Sequence, residues 1–248
     1  MERVAALLLA LPLLVSSCGE PPPAKPVVFV AASTADVVGS ILADSGVRLS
    51  VGPSSALARQ VRDGAPADVL VTASADWLEY LEEGEALVGT PLRLAGNSIV
   101  CVAPRGGALD QDGISGATEL LAALGPGERV AIADEGVPVG EYARESLAST
   151  GELEPLQAHL VGQVDARDCL RAVQDGQVAA GFVYASDAKH PGVRVLFPLD
   201  PATHGPVEVW GVVTSSRPEA DALLARLASE EEHEHWTEAG FRLAAEGP

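Results

Sequence analysis

Residues 27–42 read VVFVAASTADVVGSIL. An unbroken apolar run over 27–32 has the length of a buried strand, and Val37, Val38, Ile41 and Leu42 then fall on one helical stripe. Only Ser33 and Thr34 stand between the run and the helix. A strand handed to a helix through two small polar residues is the building unit of sheets covered by helices on both faces. The unit recurs along the chain. The patterning predicts further strands at 48–51, 68–71, 98–103, 129–133, 159–161, 178–184, 193–197 and 207–213. Helices are predicted at 54–63, 75–83, 118–124, 139–149, 166–175, 219–228 and 231–239. Gly64 closes the first of these, Asp165 caps the helix of 166–175, and Pro104 stops the strand of 98–103. The fold class is α/β with mostly parallel sheets.

Upstream of this body, residues 4–15 (VAALLLALPLLV) are apolar throughout, too short to span a bilayer as a helix but the size of a signal-peptide core. The run ends in Val15, Ser16, Ser17 and Cys18, and small residues before a cysteine resemble the lipobox of bacterial lipoproteins, whose cysteine becomes the lipidated first residue. An ordinary signal peptide with an incidental cysteine is the plainer alternative. Residues 1–17 are read as signal peptide, and 18–26 (CGEPPPAKP) as a lipidated cysteine on an extended, proline-rich tether. The protein is therefore expected outside the cytoplasm, periplasmic or at the cell surface, touching the membrane only through its anchor at Cys18.

Composition narrows the class. The 248 residues carry 16 Lys and Arg against 35 Asp and Glu, a formal charge of −19, which excludes nucleic acid as a partner because no basic excess exists to displace its counterions. Hydrophobic residues make up 47% of the chain, which excludes disorder. Cys101 (in SIVCVAP) and Cys169 (in ARDCLRAV) sit in apolar patterns and read as buried small hydrophobes, although an exported protein could pair them.

In sheets of this kind ligands sit beyond the carboxyl ends of strands, where helix N-termini point free N–H groups. Four strand-to-helix junctions are built from small or capping residues: Ser33-Thr34, Ser54-Ser55, Val139-Gly140 and Asp165-Ala166. That is the pattern of a small-anion site, though the same residue types also serve as plain N-caps.

Read in order, SSALARQV (54–61), GAPADVLVT (64–72), GNSIVCVAP (96–104), VPVGEYARESL (137–147) and GFVYASDA (181–188) resemble the molybdate-binding component of bacterial ABC importers. The resemblance begins at FVAAS (29–33), ends near EAGF (238–241) and so covers nearly the whole body. It implies a two-lobed type II periplasmic-binding-protein fold, each lobe a mostly parallel sheet flanked by helices, with the ligand in the cleft between lobes. Lobe one would be 27–96 plus 203–248, and lobe two 97–202. Carried over motif by motif, the ligand-binding residues are Ser33, Ser54, Val139, Ala166 and Tyr184, with valine and alanine standing at Val139 and Ala166 where the family commonly has alanine and valine. All five would offer only hydrogen-bond donors, from hydroxyl or main chain. A donor-only site suits a fully deprotonated tetrahedral dianion, molybdate or tungstate, and leaves the O–H of protonated phosphate unsatisfied. The resemblance further implies an ABC permease as partner, a monomer, and no cofactor.

Other readings are weaker. Sulfate fits the same chemistry and would be rejected only by cavity size, and a tethered sensor would share every residue with a transport receptor. An enzyme is not expected, since no Gly-x-Ser-x-Gly, phosphate-loop or dinucleotide motif occurs. In SEEEHEHWTEAG, Glu231 and His235 would share a helical face, but a solvated acidic face with Trp236 packed inward is the better reading, and no cation site is expected.

Overall fold

A computed structural model describes residues 25–243; the signal-peptide and Cys18 readings, and the last five residues of the 203–248 segment expected in lobe one, lie outside the described residues. Two sheets organise the chain. The first is built from β1 (Val27–Ala31), β2 (Arg48–Gly52), β3 (Val69–Thr72), β4 (Leu92–Gly96), β10 (Glu208–Val213) and β11 (Arg242–Leu243), in the order β11-β4-β10-β3-β1-β2. The second uses β5 (Ile99–Pro104), β6 (Val130–Ala133), β7 (Leu160–Gln163), β8 (Ala180–Tyr184) and β9 (Val193–Pro198), in the order β7-β6-β8-β5-β9. The chain leaves the first sheet after Gly96 and returns to it at Glu208, so the fold is two-lobed α/β.

The period-two alternation of the strands sorts their side chains to opposite faces of the first sheet. Val28, Val30, Val69, Val71, Val209 and Val213 pack on the side of α1 (Ala35–Ile41), α8 (Pro218–Leu227) and α9 (His233–Glu238). Val27, Phe29, Leu70 and Val212 pack on the other side, against α2 (Ser54–Arg62) and α3 (Asp76–Glu83). Trp236 of α9 is fully buried; its indole N–H donates to the Leu227 carbonyl at 3.0 Å and its ring meets Phe241 edge-on. The second sheet is covered by α4 (Ala117–Ala123), α5 (Pro138–Ser149), the single turn α6 (Leu153–Leu156) and α7 (Ala166–Gln174). Cys101 and Cys169 are both buried and free, and burial pushes both thiols well above their ordinary pKa.

One expectation needs correction. The sheets are mixed rather than mostly parallel: β1 pairs in parallel with β2 and β3, and β6 with β7 and β8, while β10 runs antiparallel to β3 and β4, β11 to β4, and β5 to β8 and β9. A parallel neighbour requires a crossover, usually a helix, that returns the chain to the starting edge. β5 and β10 instead arrive from the other sheet, with no such return to make, and so insert in the opposite sense. The strands β4 and β11 and the turn α6 were not legible in the sequence pattern.

Candidate functional site

Every residue singled out as a ligand donor stands at the carboxyl end of a strand. Ser33 lies in the 3-10 turn Ala32–Thr34 that follows β1, Ser54 begins α2 after β2, and Val139 is second in α5 after β6. Ala166 begins α7 after β7, and Tyr184 ends β8. The structure brings all five around one cavity, with Ala31, Ala32, Pro53 and Ala73 from the first lobe and Val137, Pro138 and Asp165 from the second. The cavity leaves only about 10 Å³ for the centre of a water-sized sphere. With the lobes in this arrangement that is room for about one water molecule, so a sugar, an amino acid or a peptide is excluded.

Local sequence explains why these N–H groups are the ones presented. The first N–H groups of a helix have no partner within it. Pro53 precedes α2 and Pro138 opens α5, and proline has no N–H, so the first main-chain donors of these helices belong to Ser54 and Val139. At α7 the Asp165 carboxylate acts as N-cap, accepting the Asp168 N–H at 2.9 Å, and Ala166 provides the first N–H. Plain capping therefore accounts for Asp165 but not for the serines: neither the Ser33 turn nor α2 has a side-chain cap bond.

The side chains are set up as donors. The Ser54 hydroxyl oxygen accepts the Ala73 N–H at 3.1 Å inside the cavity wall, which leaves the Ser54 proton to be donated elsewhere. Ala73 was not anticipated from sequence; nothing in an alanine signals a main-chain donor. Tyr184 is 2% exposed, and its hydroxyl has no hydrogen-bond partner among protein groups. Burial, with Tyr142 and Asp187 adding to it, drives the Tyr184 phenol well above its ordinary pKa, so it keeps its proton at neutral pH. Asp165 is the one carboxylate on the cavity wall.

Several contacts join the lobes beside the cavity, among them the Lys189 ammonium, which donates to the Thr237 and Glu238 carbonyls at 3.1 and 2.9 Å. The Arg167 guanidinium of α7 binds Asp36 of α1 at 2.6 Å and lies 3.7 Å from Asp187. Asp187, buried against the end of β8, has its carboxyl pushed up to about 7 by burial, with Arg167 pulling the other way. On the α5 side, burial pushes the Tyr142 phenol up to about 12, against the opposing effect of a hydrogen bond with Ser74 of the first lobe. At the crossover, the Asn97 amide donates to the Ser186 hydroxyl at 2.9 Å, and Arg242 donates to the Asn97 carbonyl.

The C-terminal acidic segment differs from its helical reading. Glu230–Glu232 forms a 3-10 turn and α9 begins only at His233, so the partner of His235 is Glu232, at 2.8 Å, rather than Glu231. Among the described residues no three His, Cys, Asp or Glu side chains converge on a point that could hold a metal ion.

Two mixed sheets with a small, donor-lined cavity at facing strand ends define a two-lobed solute-binding protein. Residues 27–242 match the bacterial extracellular solute-binding protein family, and the chain belongs to it. It is 35% identical over 193 residues to the molybdate-binding protein ModA of Escherichia coli strain K12, covering 74% of this chain and 75% of the relative. Among solved structures, the periplasmic molybdate-binding protein of Azotobacter vinelandii superposes with a TM-score of 0.76 at 19% identity, over 88% of this chain and 99% of that one. The sulfate-binding protein SubI of Mycobacterium tuberculosis H37Rv superposes with a TM-score of 0.69 at 17% identity, over 90% of this chain and 88% of that one. At these identities the two structures speak for the fold alone. No helix among the described residues is long and apolar enough to cross a membrane.

Proposed function

We propose that this protein is an extracytoplasmic receptor that captures molybdate, and tungstate with it, between its lobes and delivers it to an ABC permease. The observation that carries the reading is the pair of hydroxyls on one small cavity: Ser54, whose oxygen accepts the Ala73 N–H and whose proton is left to donate, and Tyr184, whose buried hydroxyl has no protein partner. With the N–H groups of Ser54, Val139 and Ala166 and the hydroxyl of Ser33, they supply donors to a dianion that needs only acceptor sites filled. The lobes are assigned as 27–96 with 203–248, and 97–202, closing on the ligand by hinge motion at the two crossovers. The receptor works as a monomer and uses no cofactor. Calorimetric titration of the mature body with molybdate, tungstate, sulfate and phosphate tests this: the first two should bind tightly and phosphate not at all. Tight binding of sulfate or phosphate without molybdate would sink the assignment.

The same reading places the protein at a membrane surface through acylation of Cys18, with the proline-rich segment as spacer. Cys18→Ala protein made in a bacterial host should carry no acyl group by mass spectrometry and should leave the membrane fraction. Acylation that persists in this variant places the anchor elsewhere.

A further inference from the structure

Beside the anion cavity lies a second one of about 290 Å³, walled by α1, α7, the turn at Asp187–Lys189 and the chain at Ala239–Phe241; Ser33 lines both cavities. It holds the Asp36–Arg167–Asp187 cluster, which the receptor reading leaves without a task. The placement of these residues along the chain is specific. Asp36 follows Ser33 by three residues in the first lobe, and Arg167 directly follows Ala166 in the second. The ion pair thus ties together the two segments that present donors to the anion from opposite sides of the cleft.

The burial of the partners is graded. The Asp36 side chain is 83% exposed, that of Arg167 32% and that of Asp187 4%. Asp187 belongs to the same lobe as Arg167, so it holds the guanidinium from within that lobe, while Asp36 reaches it from the other at the solvent edge. The 3.7 Å to Asp187 is too long for a hydrogen bond, and neither the Arg167 Nε nor the Asp187 Oδ2 has a hydrogen-bond partner. The guanidinium is therefore held most directly by the contact that exists only while the lobes are together.

We propose that Arg167 is a positioning residue for the anion site: its pair with Asp36 holds Ala166 and Ser33 at binding distance, and breaking it is a step in ligand release. The proposal rests on the receptor reading above. An attraction that forms only on closure slows opening and leaves encounter with the open cleft unchanged. Its effect therefore falls on the dissociation rate and not on the association rate.

The test is stopped-flow kinetics of molybdate binding to the wild-type protein, Asp36→Asn, Arg167→Gln and the double variant. Asp36→Asn should raise the dissociation rate about two- to fivefold, the span of a partly exposed ion pair, with the association rate and the melting temperature of the ligand-free protein unchanged. The double variant should dissociate no faster than the faster single variant, because one contact is lost in all of them. Arg167→Gln also strips the buried Asp187 of its cation, so Asp36→Asn is the decisive variant if Arg167→Gln folds poorly. Molybdate binding with a wild-type dissociation rate in Asp36→Asn, or single effects that multiply in the double variant, overturns the latch and leaves the receptor intact. Failure of the wild-type protein to bind molybdate overturns both.

Discussion

Tyr184→Phe should bind molybdate about 1.5–3 kcal/mol more weakly than the parent, roughly 10- to 150-fold, while its ligand-free form stays at least as stable. The two halves of this expectation come from one fact. The Tyr184 hydroxyl is buried without a protein partner, so removing it deletes no contact that holds the fold together, and the ring that packs in the core is retained. What is lost is a donor to a charged acceptor, the stronger class of hydrogen bond. Ser54→Ala gives the contrast. It should weaken binding by a similar amount but also lower stability by about 1–3 kcal/mol, because the buried Ala73 N–H then loses its acceptor. Calorimetric titration and denaturant unfolding of the two variants separate the cases. If Tyr184→Phe binds like the parent, the cavity does not hold the anion where the hydroxyl points.

The two variants also mark how far the sequence could be read. Strands and helices were legible where apolar periodicity is long and punctuated, as at Val27–Ala31 or at α7 with its Asp165 cap. β4 escaped because LRLAG is short, carries a half-buried arginine and ends in glycine. Its strand character comes from pairing with β10 and β11, which lie more than a hundred residues away. Strand direction escaped for the same reason: nothing local in Val209 or Cys101 states whether its neighbour runs up or down. Of the candidate site, the resemblance supplied five residues, yet the sequence could not say that the Ser54 oxygen is engaged by Ala73 or that the Tyr184 hydroxyl is unpartnered. Those are facts of packing. Arg167 was invisible as a cleft residue, because its partner Asp36 is 131 positions away.

The charge of −19 is a related case. Read as a sum, it argues against an anionic ligand, yet the cavity wall holds a single carboxylate, Asp165, already committed to capping α7. Donors within hydrogen-bond distance dominate a buried anion's energy, while surface carboxylates beyond the Debye length of about 8 Å are screened by salt. Net charge sets how the anion approaches, and the strand ends set whether it stays.

Gly140→Ala should be the most disruptive small change near the site, although it places a better helix former inside a helix. In an unconstrained helix the substitution would stabilise by about 1 kcal/mol. Here a Cβ on Gly140 would lie 2.3 Å from the Ala133 carbonyl oxygen and 2.8 Å from its carbon. These are main-chain atoms at the end of β6, buried and fixed by the parallel pairings of that strand, and they cannot step aside. The first turn of α5 must therefore lift away from the sheet, and it carries the Val139 N–H with it. We expect a net stability loss of about 1–3 kcal/mol, the usual cost of overpacking, and at least about tenfold weaker molybdate binding from the misplaced donor. Gly39→Ala in α1 is the internal control: its Cβ would meet only the Leu49 Cδ1, at an ordinary 3.5 Å, so helix propensity should prevail and binding should be unchanged. Denaturant unfolding and molybdate titration of both variants read the difference. Were Gly140→Ala to behave like Gly39→Ala, the close seat of α5 on β6 would not be what places the Val139 donor, and the small residue of the VPVG segment would need another explanation.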